Sequence, residues 1–187
     1  MAEPLAVWHD EHVNIARLLD LLESQVRAFH QGDHPNYDLM GDIVFYLHSF
    51  SDCVHHRRED VAFRRLVERE RGMELVINRL LQEHRVIGAA GDQLSQRLEQ
   101  AAEDVMAPRA ALEAAAATYL VYYRNHLDVE ERDVLPRAAK LLTAEDWAAV
   151  AAAVPAVSDP LFGQDVQGRF AELRRQIDRE TGIALEG

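Results

Sequence analysis

The chain has 187 residues, 48% of them hydrophobic, a formal net charge of −12 and a single cysteine, Cys53. The acidic balance leaves no basic excess to offset phosphate repulsion, which excludes non-specific nucleic-acid binding, and the lone cysteine excludes an intramolecular disulfide or a cysteine-held cluster. Apolar content at this length supports one domain with a sizeable core, and abundant Ala and Leu beside 7% aromatics favour helix over sheet.

In the first predicted helix, Trp8, His12, Ile15, Leu19, Leu22, Val26 and Phe29 recur at alternating steps of four and three, an inward stripe suited to a bundle seam. His12 holds one of the inward positions. An imidazole buried there without a partner would cost about 1–3 kcal/mol; a metal ion or a carboxylate on a neighbouring helix would resolve it. His9 falls at the rim of that face. The stretch 31–38, with Gly32 and Pro35, reads as a polar loop, and Asp38 is the candidate N-cap of the next helix. His30 and His34 belong to this loop region, far along the chain from the mid-helix positions.

The second helix is predicted from about Leu39 to Val67. At about 100° per residue, His48, Asp52, His55 and Glu59 share a narrow arc. Four residues apart, His55 and Glu59 aim an imidazole and a carboxylate the same way. His56 points about 100° aside and is read as turning to a neighbouring helix beside the site or to solvent. His48 and Asp52 read as pocket-lining or proton-relaying groups, and Asp60 as an acceptor for a histidine N–H from another helix. Arg57 and Arg58 read as a solvated face.

A turn is predicted over Glu68–Gly72. The third helix then carries Met73, Ile77, Leu80, His84, Ile87, Gly91, Leu94, Leu98 and Ala101, with His84 standing 72 residues after His12 in the same pattern. Gly88 and Gly91 permit close helix approach or leave room for a small ligand. Pro108 begins or kinks the next element. A fourth helix runs from Ala110 to Pro136, where His126-x-x-x-Glu130 repeats His55-x-x-x-Glu59 at a distance of 71 residues. Tyr119 or Tyr122 reads as a hydrogen-bond donor above the site, both lining its pocket, and Glu131 as a neighbour of it or solvated. Pro136 is expected to end or bend the helix. Beyond it, Thr143 and Asp146 resemble a capping box. Trp147, Val150 and Val154 form a packing face, and Pro155 and Pro160 bound a loop anchored by Phe162. Val166, Phe170, Leu173 and Ile177 make a last amphipathic helix that covers the bundle or forms a homodimer surface.

These elements predict an all-α fold: an up-down four-helix bundle over residues 1–140 with a C-terminal helical extension over 141–187. Inward histidines in two matched pairs, with two matched glutamates, describe a metal-bearing bundle. Imidazole and carboxylate ligands suit iron, manganese or zinc. Glu59 and Glu130 as bridges favour a binuclear centre, and six protein ligands for two ions leave positions open for exogenous chemistry, unlike a closed structural zinc site. The N-terminus has no basic region followed by a hydrophobic run, and no apolar run approaches membrane-spanning length; a soluble cytoplasmic protein without membrane partners is expected.

The residues His12, His55-x-x-x-Glu59, His84 and His126-x-x-x-Glu130-Glu131 with Pro136 resemble the hemerythrin-like HHE cation-binding family, over roughly residues 5 to 140. The resemblance implies a non-haem di-iron centre, oxo- or hydroxo-bridged, with His12 and His55 on one iron, His84 and His126 on the other, and Glu59 and Glu130 bridging. Oxygen-carrying members use a fifth histidine one turn before the third-helix one, where this chain has Leu80. Water, Glu83 or His56 would have to substitute, which argues against simple reversible oxygen carriage. The implied function is binding or sensing of oxygen, nitric oxide or redox state at an open iron position. The alternatives are peroxide or nitric-oxide reduction, iron donation for repair, or passive cation binding.

Overall fold

The computed structural model describes residues 3–31, 35–102 and 109–180. Gly32, His34 and Pro108 lie outside the described residues, as do the side chains of Phe29 and His30. The first long helix, α1, is Glu3–Gln31. The second is continuous from Tyr37 to Arg69 but changes pitch twice, as α2 (Tyr37–Tyr46), a π-helical stretch π1 (Leu47–His55) and α3 (His56–Arg69). Asn36, not Asp38, caps its start: the Asn36 side-chain oxygen accepts from the Leu39 N–H at 3.0 Å. Asp38 falls in the first turn, where its charge faces the positive end of the helix dipole.

The chain is extended at Glu70, makes one 3-10 turn at Arg71–Met73 and enters α4 (Glu74–Ala102), placing the turn where the charged, Gly-ended stretch predicts it. The fourth long helix is α5 (Arg109–Val129), a second π-helical stretch π2 (Glu130–Val134) and α6 (Leu135–Leu141). Pro136 therefore does not end this helix. The wider turn ahead of it, in which the Leu135 N–H donates to the Glu130 carbonyl five residues back, lets the chain continue past a residue that lacks its own N–H.

These four helices pack together as the predicted bundle, with α5 against α1 and α4, and α2 against α1 and α4. The short α7 (Ala144–Ala153) starts at the predicted capping box, in which Asp146 takes the Thr143 N–H at 2.9 Å. It lays Trp147 against Trp8 at 5.3 Å between ring centres. Phe170, Leu173 and Ile177, at and within α8 (Ala171–Glu180), are buried in one cluster with Ile43 and Tyr46 of α2, so the last helix covers the bundle. No described helix is long and apolar enough to cross a membrane.

The core is not continuous. One apolar cluster holds Ile15, Phe50, Ile87 and Tyr123; a second holds Trp8, Ala62, Leu80 and Val129. The residues between those two sets on the four helices are His12, His55 to Glu59, His84 and His126. A polar layer thus crosses the bundle at one level with apolar packing above and below it.

Candidate metal centre

The structure brings His12, His55, Glu59, His84, His126 and Glu130 to one buried point, and His56 with them. His12 Nε2 lies 2.9 Å from His55 Nε2. Glu59 Oε1 is 3.3 Å from the first nitrogen and 3.2 Å from the second, while Glu59 Oε2 faces His84 Nε2 at 3.6 Å. Glu130 mirrors it: Oε2 is 3.6 Å from His12 Nε2, and Oε1 is 3.5 Å from His84 Nε2 and 3.1 Å from His126 Nε2. Each carboxylate thus offers one oxygen to each histidine pair. Two His/Glu clusters able to hold metal ions result, His12–His55–Glu59 and His56–Glu59–His84–His126, sharing Glu59.

His56 is the main difference from the sequence reading. It is buried and stacks on His84, with ring centres 4.2 Å apart and planes 7° apart. The rings of His55 and His56 diverge at the junction of π1 and α3, one toward His12 on α1 and the other toward His84 on α4. The π-helical N–H of His56 donates to the Ser51 carbonyl, five residues back. Leu80, where the resemblance to oxygen-carrying members would put a fifth histidine, is fully buried in the second apolar cluster. An imidazole is therefore present near His84, supplied from the second helix instead of the third.

A carboxylate stands at Nδ1 of all five rings. His12 donates to Glu131 at 2.7 Å, His55 to Glu11 at 2.6 Å, His84 to Asp60 at 2.8 Å and His126 to Glu83 at 3.2 Å. His56 Nδ1 lies 3.2 Å from Asp52 Oδ1. Carboxylates only accept, so on His12, His55, His84 and His126 the proton sits on Nδ1 and the Nε2 lone pair is aimed at the centre, the arrangement metal-bound histidines require; Nδ1 of His56 and Oδ1 of Asp52 make no hydrogen bond. Behind the carboxylates stand basic groups: Arg58 on Glu11, Arg64 on Asp60, Arg79 on Glu83, His9 on Glu131 and His48 on Asp52. Arg58 is thus a half-buried partner of Glu11 and not part of a solvated face. Glu11 carried no signal in the sequence beyond preceding His12; its role depends on which helix lies opposite. Tyr119 is buried, but its hydroxyl makes none of the hydrogen bonds expected of it, and Tyr122 is 44% exposed and stands outside the pocket in which it was expected. Tyr123 takes the inward place instead, its hydroxyl 2.6 Å from Ser51 Oγ.

The electrostatics favour cations. Burial works against a charge on His12, but the hydrogen bonds to Glu131 and Glu59 outweigh it and push its pKa up to about 10. His84 likewise rises to about 10 against burial, through Asp60 and Glu130. Glu59 and Glu130 are both held below the ordinary carboxylate range: burial opposes this, the Glu59 charge also opposes it at Glu130, and the facing histidines prevail. Burial, reinforced by the neighbouring imidazoles, drives His56 well below the usual histidine value, so it is neutral and free to coordinate. Burial pushes Asp52 up to about 7. Glu59 Oε2, Glu130 Oε1 and Oε2, and Nε2 of His56, His84 and His126 are buried without a hydrogen-bond partner. Buried polar atoms are almost always satisfied. Six unsatisfied atoms around one point, all nitrogen or carboxylate donors, fit a pair of metal ions.

Residues 3–138 match the family model described as the hemerythrin HHE cation binding domain. No curated protein and no solved structure was found to match the chain.

Proposed function

The chain belongs to the hemerythrin HHE cation-binding family, and from that premise we propose that it holds a non-haem di-iron centre that binds or senses a small diatomic molecule, oxygen or nitric oxide. His12 and His55 would hold one iron, and His84, His126 and His56 the other, with Glu59 and Glu130 bridging. Manganese or zinc would find the same donors, but the mix of imidazole and shared carboxylate suits iron well.

One observation carries the reading. Two Nε2 lone pairs, on His12 and His55, meet at 2.9 Å while both Nδ1 protons are committed to carboxylates. Such a pair is tenable only with positive charge between the nitrogens. In the metal-free protein a proton supplies it, hence the raised pKa of His12. Two nitrogens about 2.1 Å from one ion at a right angle stand about 3 Å apart, so an ion fits the pair without movement.

The two sides differ. Three imidazoles and two carboxylate oxygens surround the His84 side, but two imidazoles and two oxygens surround the His12 side. The His12 side is the one left open to an exogenous molecule. Bound iron would supply the redox and diatomic-binding chemistry; the chain positions the imidazoles, fixes their protons on Nδ1, and excludes bulk water with apolar packing on both sides. A second reading, turnover of peroxide or nitric oxide, is favoured by the His9–Glu131–His12 chain, which links this side to an exposed imidazole as a proton route.

Reconstitution with ferrous iron under anaerobic conditions, then optical titration with oxygen, nitric oxide and peroxide, tests the proposal. Two irons per chain and a stable coloured adduct are expected. Catalytic consumption supports turnover instead, and a colourless inert site refutes both.

A further inference from the structure

We propose that His48, Asp52 and Asp92 form a capture site for divalent cations at the bundle surface, from which ions reach the buried centre past His56. The proposal rests on the di-iron reading for what it feeds; of its own residues only Asp52 also touches the centre, through His56. His48 is exposed on π1, with Nδ1 3.5 Å from Asp52 Oδ2 and 3.9 Å from Asp92 Oδ1 on α4. Two donor atoms each about 2.1 Å from one ion stand about 3–4 Å apart, so both pairs already have the spacing of shared ligands. Asp52 reaches inward from this pair: its Oδ1 is 3.2 Å from Nδ1 of His56, which is 3% exposed. Neither of those two buried atoms has a hydrogen-bond partner. An unsatisfied carboxylate oxygen and an unsatisfied imidazole nitrogen thus face each other between surface and centre.

The surroundings set this group apart. Glu11, Asp60 and Glu83 are backed by arginines, which repel a cation. Glu131 is backed by His9, but its Oε1 and Oε2 both already lie 3.1 Å from that ring. Asp52 alone among these five is backed by an imidazole and a second carboxylate and keeps an oxygen free. The opposing wall is low. Gly88, one turn before Asp92, faces Asp52, and even an added Cβ there would stand 3.8 Å from Oδ2. The net charge of −12 draws cations toward such a mouth.

The test is anaerobic stopped-flow loading of metal-free protein with ferrous iron, comparing the wild type with His48→Gln/Asp92→Asn. Both positions are exposed, and the Asp52–His56 contact is untouched. Loading is expected to slow about tenfold, the lower end of what a charged cleft adds to association rates, with two irons per chain still bound at the end. An unchanged rate overturns the proposal; so does a change in final stoichiometry at unchanged rate, the mark of a merely structural role. A second arm uses Glu59→Ala/Glu130→Ala, whose central site is disabled, titrated with Mn(II) by electron paramagnetic resonance. One bound ion per chain, lost when His48→Gln/Asp92→Asn is added, is expected; no bound ion overturns the proposal. Failure of the wild type to load iron would refute the di-iron reading alone, since the Mn(II) arm decides the capture site separately.

Discussion

At the scale of single residues, His56 shows how one ring can change position in the chain and keep its place in space. The fifth imidazole expected by resemblance to oxygen-carrying members is absent from α4, where Leu80 fills the second apolar cluster, and an imidazole from the second helix stacks on His84. If His56 completes the centre, His56→Ala lowers iron content from two toward one per chain. Adding Leu80→His to that variant should recover the second iron, because the new imidazole lies one turn from His84 on the same face. Iron quantification after desalting reads both; full loading of His56→Ala would show that the ring only packs. The histidine doublet was visible in the sequence, but its meaning was not. Counting regular helical turns put His55 on the face and His56 off it, and that count fails where the helix widens.

At the scale of elements, four-three periodicity was enough to find the four long helices and to set His12, His55, His84 and His126 at one level. Short connections between them left little freedom. The π-helical stretches were not legible, since no residue pattern in 47–55 or 130–134 departs from an amphipathic helix. Both occur on the helices that carry His-x-x-x-Glu, and they decide which side chains turn inward. Partners from other helices, Glu11 for His55 and Glu83 for His126, were hidden for a related reason: a sequence shows faces, not which faces meet. End chemistry is local and was legible at Thr143, though not at Asn36 or Pro136. Thr143→Ala removes the oxygen that accepts from the Asp146 N–H and should cost about 1 kcal/mol, seen as a lower urea midpoint with iron content unchanged.

At the scale of the whole molecule, the polar layer makes stability depend on what fills it. His12 and His84 titrate near 10 in the folded metal-free chain, against about 6.5 when unfolded. The folded state therefore binds more protons across that window. The stability these groups contribute is fully present below pH 6.5 and is lost as pH rises toward 10. The urea midpoint of metal-free protein should fall between pH 7 and 10, whereas iron-loaded protein, in which metal replaces those protons, should hold its midpoint there. Parallel curves would mean that iron binds elsewhere. Loading should also release the protons held by His12 and His84, measurable with a pH indicator in weak buffer at pH 8. Metal at this level ties all four helices together, so loading should add about 4 kcal/mol of stability, read as a higher urea midpoint, when free iron is a thousandfold above its dissociation constant.

On the di-iron reading, shared carboxylates, Glu59 and Glu130, would make one centre out of two sites. Mössbauer spectroscopy of protein reconstituted with iron-57 and then oxidised tests that sharing most directly. Two ferric ions per chain with a diamagnetic, coupled ground state are predicted; isolated high-spin ferric ions, or a single iron, would contradict it.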